Sequence, residues 1–337
     1  MFKYRSAFTT LVLSLLALTL VSCGGSDFRK TEVYYLVANN IDLPYWQAAR
    51  AGLLRAAAEV GVAADMVGPE TYDAALQKEA FDEIVAMEKP PAGILVSPAD
   101  PAMMAPSINA AVAKGIEVIT IDSDAPDSDR FLFIGTDNYS VGAQSAEVTA
   151  ERLQNAGNVI VFTISGQTNL EDRLRGYRDI FAQFPAIRII DTVDIKGDGA
   201  VAFDLTKEIL AKRRSSVDAY VCLESIACPE VAEVLNRNSV RDKVVIAMDT
   251  PQRTLEWIQN GLVHATIAQK PYTMAYTGLR VLADHKKYPA ANPESEGSLS
   301  TVPSFIDTGA TLVTEDNVAR FIKDQESTQP AAAPAAE

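Results

Sequence analysis

From Val33 onward, short runs of aliphatic and β-branched residues alternate with longer amphipathic stretches. The first runs, Val33–Ala38, Val62–Val67, Gly93–Val96 and Glu117–Asp122, predict strands. Helices are expected between them over Pro44–Glu59, Ala74–Met87 and Pro101–Ala113. Proline near the start of the first helix and Gly61 after its end are favoured helix punctuation. Val118, Ile119 and Ile121 follow one another without a polar alternation, as in a parallel strand covered on both faces. A further run, Phe131–Ile134, ends in Gly-Thr-Asp-Asn138 and reads as a crossing between lobes.

The alternation then restarts. Strands are expected at Val159–Ile164, Ile187–Ile195, Ala219–Leu223 and Val244–Met248. Helices fall from Tyr139 to about Asn155, then over Asn169–Gln183 and Ala200–Lys212, and last to about Asn236. The final third is less regular, with a strand over Gly261–Gln269 and a helix over Tyr272–His285. A polar loop follows over Lys286–Ser300, then a strand near Pro303–Asp307 and a helix over Glu315–Lys323. Two runs of βαβ units predict an α/β protein with two Rossmann-like parallel-sheet lobes. A chain of 337 residues also exceeds what one core comfortably holds.

The ends of the strands carry the chemistry. Apolar runs stop at Asn39-Asn40, Ser97, Asp122, Ser165, Glu224 and Asp249. One polar residue after a strand is ordinary turn chemistry. Six, divided equally between two halves, predict two strand-end faces looking at each other across a cleft, where ligands of open α/β sheets bind.

Both chain ends differ from this pattern. Lys3 and Arg5 precede an apolar run, Leu11–Val21, with the form of an export leader. It ends in Leu-Val-Ser-Cys23-Gly, which resembles the lipobox of bacterial lipoproteins, so residues 1–22 are expected to be removed and Cys23 to carry a lipid anchor to the membrane. A tether over residues 23–31 would follow. Residues 325–337, rich in Pro and Ala, cannot bury enough surface to fold and are expected to form a disordered tail.

Composition narrows the function. A formal charge of −14 argues against a nucleic-acid partner, since a phosphate backbone would be repelled. His264 and His285 are the two histidines and are not spaced as a ligand pair, so no metal or other cofactor is expected. Cys222 and Cys228 read as small buried residues, with a disulfide between them the alternative in an oxidising compartment. No dinucleotide fingerprint follows the first strand, and no P-loop, zinc-protease motif or nucleophile elbow is present. Asp122, Glu224 and Asp249 could serve as acid and base, but strand-end carboxylates equally accept hydrogen bonds from hydroxyls, and a non-enzymatic role is expected.

Several segments resemble the type I periplasmic sugar-binding proteins of ABC importers, near the ribose-binding branch. The resemblance runs from about Val33 to Leu312. It is carried by Pro44-Tyr-Trp46 before Gly52, Val118-Ile-Thr-Ile-Asp122, Ile134-Gly-Thr-Asp-Asn138, Arg173-Leu-Arg-Gly-Tyr177, Met248-Asp249 and Ala265-Thr-Ile-Ala-Gln269. It implies a site built from Tyr45, Trp46, Asp122, Arg173, Asp249 and Gln269, with Ser123 and Glu224 standing at two further site positions, and the strand-end pattern adds Asn40. In this set Tyr45 and Trp46 would pack on a sugar ring, with helix-start packing as their alternative use, and the charged residues would bind hydroxyls.

The resemblance also implies three crossings, near Thr136–Asp137, Gln269–Lys270 and Phe305–Asp307. The N-terminal lobe would hold residues 32–136 and 270–305, and the C-terminal lobe 137–269 and 306–324. Three departures change the implied pocket. Ser123 replaces an arginine, Glu224 replaces an asparagine, and Gly197 falls where a third aromatic would stand. The expected function is capture of a small neutral sugar or polyol by a monomeric, extracytoplasmic lipoprotein that delivers it to ABC permease subunits. The alternative is a sensing lipoprotein that presents its closed form to a chemoreceptor or kinase.

Overall fold

The computed structural model describes residues 31–288 and 303–328. The leader, Cys23, most of the tether, most of the loop before Pro303 and the end of the tail lie outside the described residues.

The first sheet contains β1 (Val33–Val37), β2 (Ala63–Val67), β3 (Gly93–Val96), β4 (Val118–Ile121), β5 (Phe133–Gly135) and β11 (Phe305–Asp307), in the order β11-β5-β4-β3-β1-β2. The second contains β6 (Gly157–Thr163), β7 (Ile187–Asp194), β8 (Ala219–Cys222), β9 (Val244–Met248), β10 (Ala265–Ala268) and β12 (Thr311–Val313), in the order β12-β10-β9-β8-β6-β7. All described pairings are parallel except that of β10 with β12. The two orders superimpose position for position, so β4 and β9 are counterparts.

Burial explains the apolar runs. Every residue of β3, β4, β8 and β9 is buried, because helices cover both faces. The edge strand β7 alternates Ile187, Ile189 and Asp191 with more exposed neighbours over part of its length. In the first lobe, α1 (Pro44–Val60) and α9 (Pro271–Lys287) cover one face, and α2 (Ala74–Val85) and α3 (Pro101–Ala113) the other. In the second lobe the sheet is flanked by α4 (Asn138–Arg152), α5 (Thr168–Phe181), α6 (Gly199–Arg213), α7 (Ala227–Arg237), α8 (Gln252–Gln259) and α10 (Val318–Thr328). Asp73, Asp100, Asp137 and Asp198 accept from first-turn amides of α2, α3, α4 and α6. Such caps stabilise a helix by about 1 kcal/mol each.

Four expectations change. The run Phe131–Ile134 supplies β5 of the first sheet, and the crossing follows it over residues 136–137, because the strand pairs with β4 before the chain leaves. The third crossing lies at residues 308–310, since β11 pairs with β5 through Asp307 and β12 then pairs with β10. Strand β12 adds an element that the apolar pattern does not predict, formed by pairing with β10. Finally, α10 runs to Thr328, past the expected start of the tail.

Candidate functional site

The carboxyl ends of the two sheets face each other across a closed cleft. Asp122 follows β4 and Asp249 follows β9, and both take the left-handed backbone conformation, with φ of 63° and 64°. That conformation is disfavoured for a residue with a side chain and marks positions held by their surroundings. Asp122 N–H donates to Ile134 O at 3.1 Å, and Asp249 N–H to Ile267 O at 2.8 Å, so each turn is fixed by the neighbouring strand.

Between the sheets lies a cavity of about 60 Å³ lined by Asn40, Tyr45, Trp46, Asp122, Arg173, Glu224, Asp249 and Gln269, among others. The fold therefore brings together eight of the nine residues expected from the sequence. Ser123 is the exception. It is fully buried beside the cavity, its hydroxyl 3.4 Å from Thr168 Oγ1, because the left-handed turn at Asp122 aims one side chain into the cleft and the next away from it.

Tyr45 O–H donates to Asp122 Oδ1 at 2.7 Å, and Ser97 O–H to Oδ2 at 3.1 Å. Asn169 Nδ2 adds a long contact of 3.5 Å from the opposite lobe. Trp46 is 3% exposed and meets the Tyr45 ring edge-on, with centroids 5.2 Å apart, so it lines the cavity while belonging to the first-lobe core.

Arg173 projects from α5 and is 2% exposed. Its guanidinium donates to Asn138 Oδ1 at 2.9 Å, Leu223 O at 2.6 Å and Gln269 Oε1 at 2.8 Å. These acceptors are neutral, so its charge acts on the carboxylates across the cavity rather than by a direct ion pair. Glycines set its position. A Cβ on Gly142 of α4 would lie 2.1 Å from Arg173 O, and one on Gly176 would lie 2.4 Å from Tyr139 O. Only glycine at both places lets the two helix backbones touch.

Asp249 Oδ1 accepts from Gln269 Nε2 at 3.0 Å. Glu224 is tied to its own chain, accepting from Ile226 N–H at 2.5 Å and Ala227 N–H at 3.0 Å at the start of α7. Burial raises the pKa of all three carboxyls. Glu224 is pushed to about 7, against the pull of its two amides, and Asp249 to about 6, against the pull of Arg173. Asp122 is also raised by burial, with Arg173 and its hydrogen bonds opposing.

Three contributors escaped the sequence reading: Tyr72, Gln167 and Asn169. Tyr72 lies in the loop before α2. Its hydroxyl donates to Ala99 O at 2.9 Å and accepts from Gln167 Nε2 at 3.0 Å across the cleft. Its ring fills the space over Gly197, where a Cβ would come within 2.5 Å of it. The Tyr72 ring of the first lobe thus lies directly on Gly197 of the second, a contact that a side chain at 197 would block. Thr168 Oγ1 completes the contact between lobes, accepting from Asp124 N–H at 3.0 Å and donating to Asp124 O at 2.9 Å.

Cys222 and Cys228 are both free thiols and buried. Among the described residues, no group of three or more His, Cys, Asp and Glu could hold a metal ion. Among the same residues, no helix is long and apolar enough to cross a membrane.

Two six-stranded α/β lobes closing on an acid-rich cavity at their strand ends define a bilobal binding protein of the periplasmic type I fold. The chain belongs to the periplasmic binding protein domain family, which it matches over residues 34–288. It is 25% identical over 325 residues to the D-allose-binding periplasmic protein of Escherichia coli (strain K12), covering 93% of this chain and 99% of that protein. The ribose import binding protein of Bacillus subtilis (strain 168) is 22% identical over 275 residues, covering 77% and 86%. Among solved structures, an arabinose binding protein from Geobacillus stearothermophilus is 30% identical with a TM-score of 0.72, over 86% of this chain and 99% of that one. A solute binding protein from Burkholderia graminis C4D1M in complex with D-arabinose is 25% identical with a TM-score of 0.78, over 86% and 98%.

Proposed function

We propose that this protein captures a small neutral sugar or polyol between its lobes and hands it to the permease of an ABC importer. The observation that carries this reading is the pair of left-handed strand-end aspartates, one from each lobe, lining one cavity together with Arg173. Carboxylates accept strongly from vicinal hydroxyls, and a guanidinium donates to the same hydroxyls. The curated relatives include proteins named for allose and ribose, which supports a sugar as the ligand class.

Charge selects among sugars. Three carboxyls face one guanidinium, so at pH 7 and above, where Asp249 and Glu224 ionise, a uronic acid or sugar phosphate would meet like charge in a desolvated site. Neutral polyhydroxyl ligands avoid that penalty. Thermal shift and calorimetry over a panel of monosaccharides, polyols and sugar acids test the reading. A neutral sugar or polyol is expected to bind, and tighter binding of a sugar acid than of its parent sugar would overturn it.

Delivery to a permease calls for a protein held outside the cytoplasm, in keeping with the family. The leader and Cys23 provide the proposed anchor. Replacing Cys23 with Ala should move the protein from the membrane to the soluble fraction, and retention of the variant on membranes would remove the anchor from the proposal.

A further inference from the structure

Beside the polar cavity, and sharing Leu43, Tyr45, Ser225, Ile226, Asp249 and Gln269 with it, lies an outer chamber of about 440 Å³. Its character is different. Leu43, Pro44 and Ala48 form one wall from the first lobe, and Ile226, Pro229 and Pro251 face them from the second. Glu230 and Arg253 also line it, and their side chains pair with each other.

We propose that this chamber receives an apolar aglycone, so that the ligand is a glycoside with an aryl or alkyl substituent rather than a free sugar. The inference rests on the proposed sugar-binding function. A site for a bare monosaccharide needs hydrogen-bonding groups on every side, and these are concentrated in the inner cavity. The outer walls offer aliphatic carbon and pyrrolidine rings, which hold water poorly and gain from its displacement. A volume of this size, mostly apolar in lining with polar groups interspersed, suits a substituent of this kind.

Continuity fixes the orientation, because Tyr45, Asp249 and Gln269 stand at the junction and hold the sugar while the aglycone points outward. Fixed φ angles at Pro44, Pro229 and Pro251 stiffen the walls before binding. Both lobes contribute wall, so an aglycone seated there adds apolar contact that exists only in the closed form. A second sugar ring fits worse, since the polar lining of the second lobe, Thr250, Gln252 and the mutually paired Glu230 and Arg253, could meet only some of its hydroxyls and the rest would face carbon.

The test begins with calorimetry of the full chain against free monosaccharides, then against the methyl and phenyl α- and β-glycosides of the tightest one. One phenyl anomer is expected to bind about tenfold or more tighter than its methyl counterpart, from burial of the ring. Ala48→Trp should abolish that gain while leaving free-sugar affinity within about twofold, and Ala48→Leu should reduce it if the larger replacement does not fold. Phenyl glycosides no tighter than methyl glycosides for both anomers would overturn the inference alone, as would a disaccharide that binds tighter than either phenyl anomer. If neither free sugars nor methyl glycosides bind, the underlying function falls instead and the inference falls with it.

Discussion

Asp122 and Asp249 occupy the same place in the two lobes, after the same strand of the same sheet order and with the same left-handed turn, yet their surroundings differ. Asp122 receives Tyr45, Ser97 and Asn169, whereas Gln269 is the side chain that reaches Asp249. The carboxylate of the first lobe already takes two donors from its own wall and a long contact from across the cleft. The second lobe has kept acceptor capacity open beside Arg173. Pseudo-equivalent lobes thus divide the work, one supplying a rigid face with aromatic rings and the other supplying charge.

The largest effect should come from Arg173→Ala, which takes the guanidinium donor from Asn138 and Leu223 O, leaves Gln269 Oε1 with Thr136 alone, and leaves three carboxyls without a nearby cation. Leaving a buried acceptor without its charged donor costs about 1–3 kcal/mol. Urea unfolding should show that loss, together with sugar binding below detection. A variant of wild-type stability would mean that the guanidinium does not hold the second lobe.

Next in size is the contrast between the aspartates. Asp249→Asn can keep the Gln269 contact through its carbonyl, so affinity should fall about ten- to a hundredfold with little change in Tm. In Asp122→Asn the new amide would point a donor at Tyr45, Ser97 or Asn169, and stability should fall by about 1–3 kcal/mol along with affinity. Equal losses of stability in the two variants would dissolve the distinction between a holding and a catching carboxylate.

A smaller effect follows from pH. Glu224 and Asp249 keep their protons to about pH 7 and 6 in the folded protein, above the ordinary carboxyl range. Ligand hydroxyls donate to the ionised forms, so binding expels protons and affinity should rise as pH climbs through 6 to 7, by about tenfold between pH 5 and 8. The ligand-free protein runs the other way. Its folded state binds the extra protons, and stability from these two groups is present below the ordinary carboxyl range and lost as pH rises through 6 to 7. Glu224→Gln should remove the upper part of both profiles. Calorimetry across this range decides, and an affinity that is flat or falls with pH breaks the scheme.

The smallest effect belongs to the contact between lobes. Tyr72→Phe loses the hydrogen bonds to Ala99 O and Gln167 but keeps the ring over Gly197, and should weaken sugar affinity by about fivefold, on the order of 1 kcal/mol. Gly197→Ala should cost more than Tyr72→Phe, since a Cβ would strike the ring and φ there is +73°. The reverse order would mean that Tyr72 acts through its hydroxyl and not through the surface it covers.

What the sequence disclosed follows from how far each signal extends along the chain. Buried parallel strands such as Val118–Ile121, Ala219–Cys222 and Val244–Met248 announce themselves by apolar or β-branched runs without polar alternation, and the polar residues beyond them point to Asp122, Glu224 and Asp249. Strand β12, with three residues and an exposed Thr311, has no such run and gains its place through pairing with β10. Glu224 was legible as a cavity residue, but its capping bonds to Ile226 and Ala227 depend on where α7 begins. Tyr72 follows no strand directly and reaches the cleft through tertiary packing, so a pattern of strand ends could not reveal it. Ser123 shows the opposite failure: one left-handed residue before it reverses the direction that simple adjacency to Asp122 suggests.

Gln269 lies where the chain leaves β10 for α9, the second passage between the sheets. Its amide oxygen accepts from Thr136 O–H at the first passage and from Arg173, each at 2.8 Å, while its nitrogen reaches Asp249. The fulcrum of the proposed closure therefore touches the groups that grip the load. A force that opens the lobes is felt at Gln269 before the outer contacts part, and a ligand that satisfies Asp249 stiffens the same pivot. Residence time, more than capture rate, should be written into this one amide.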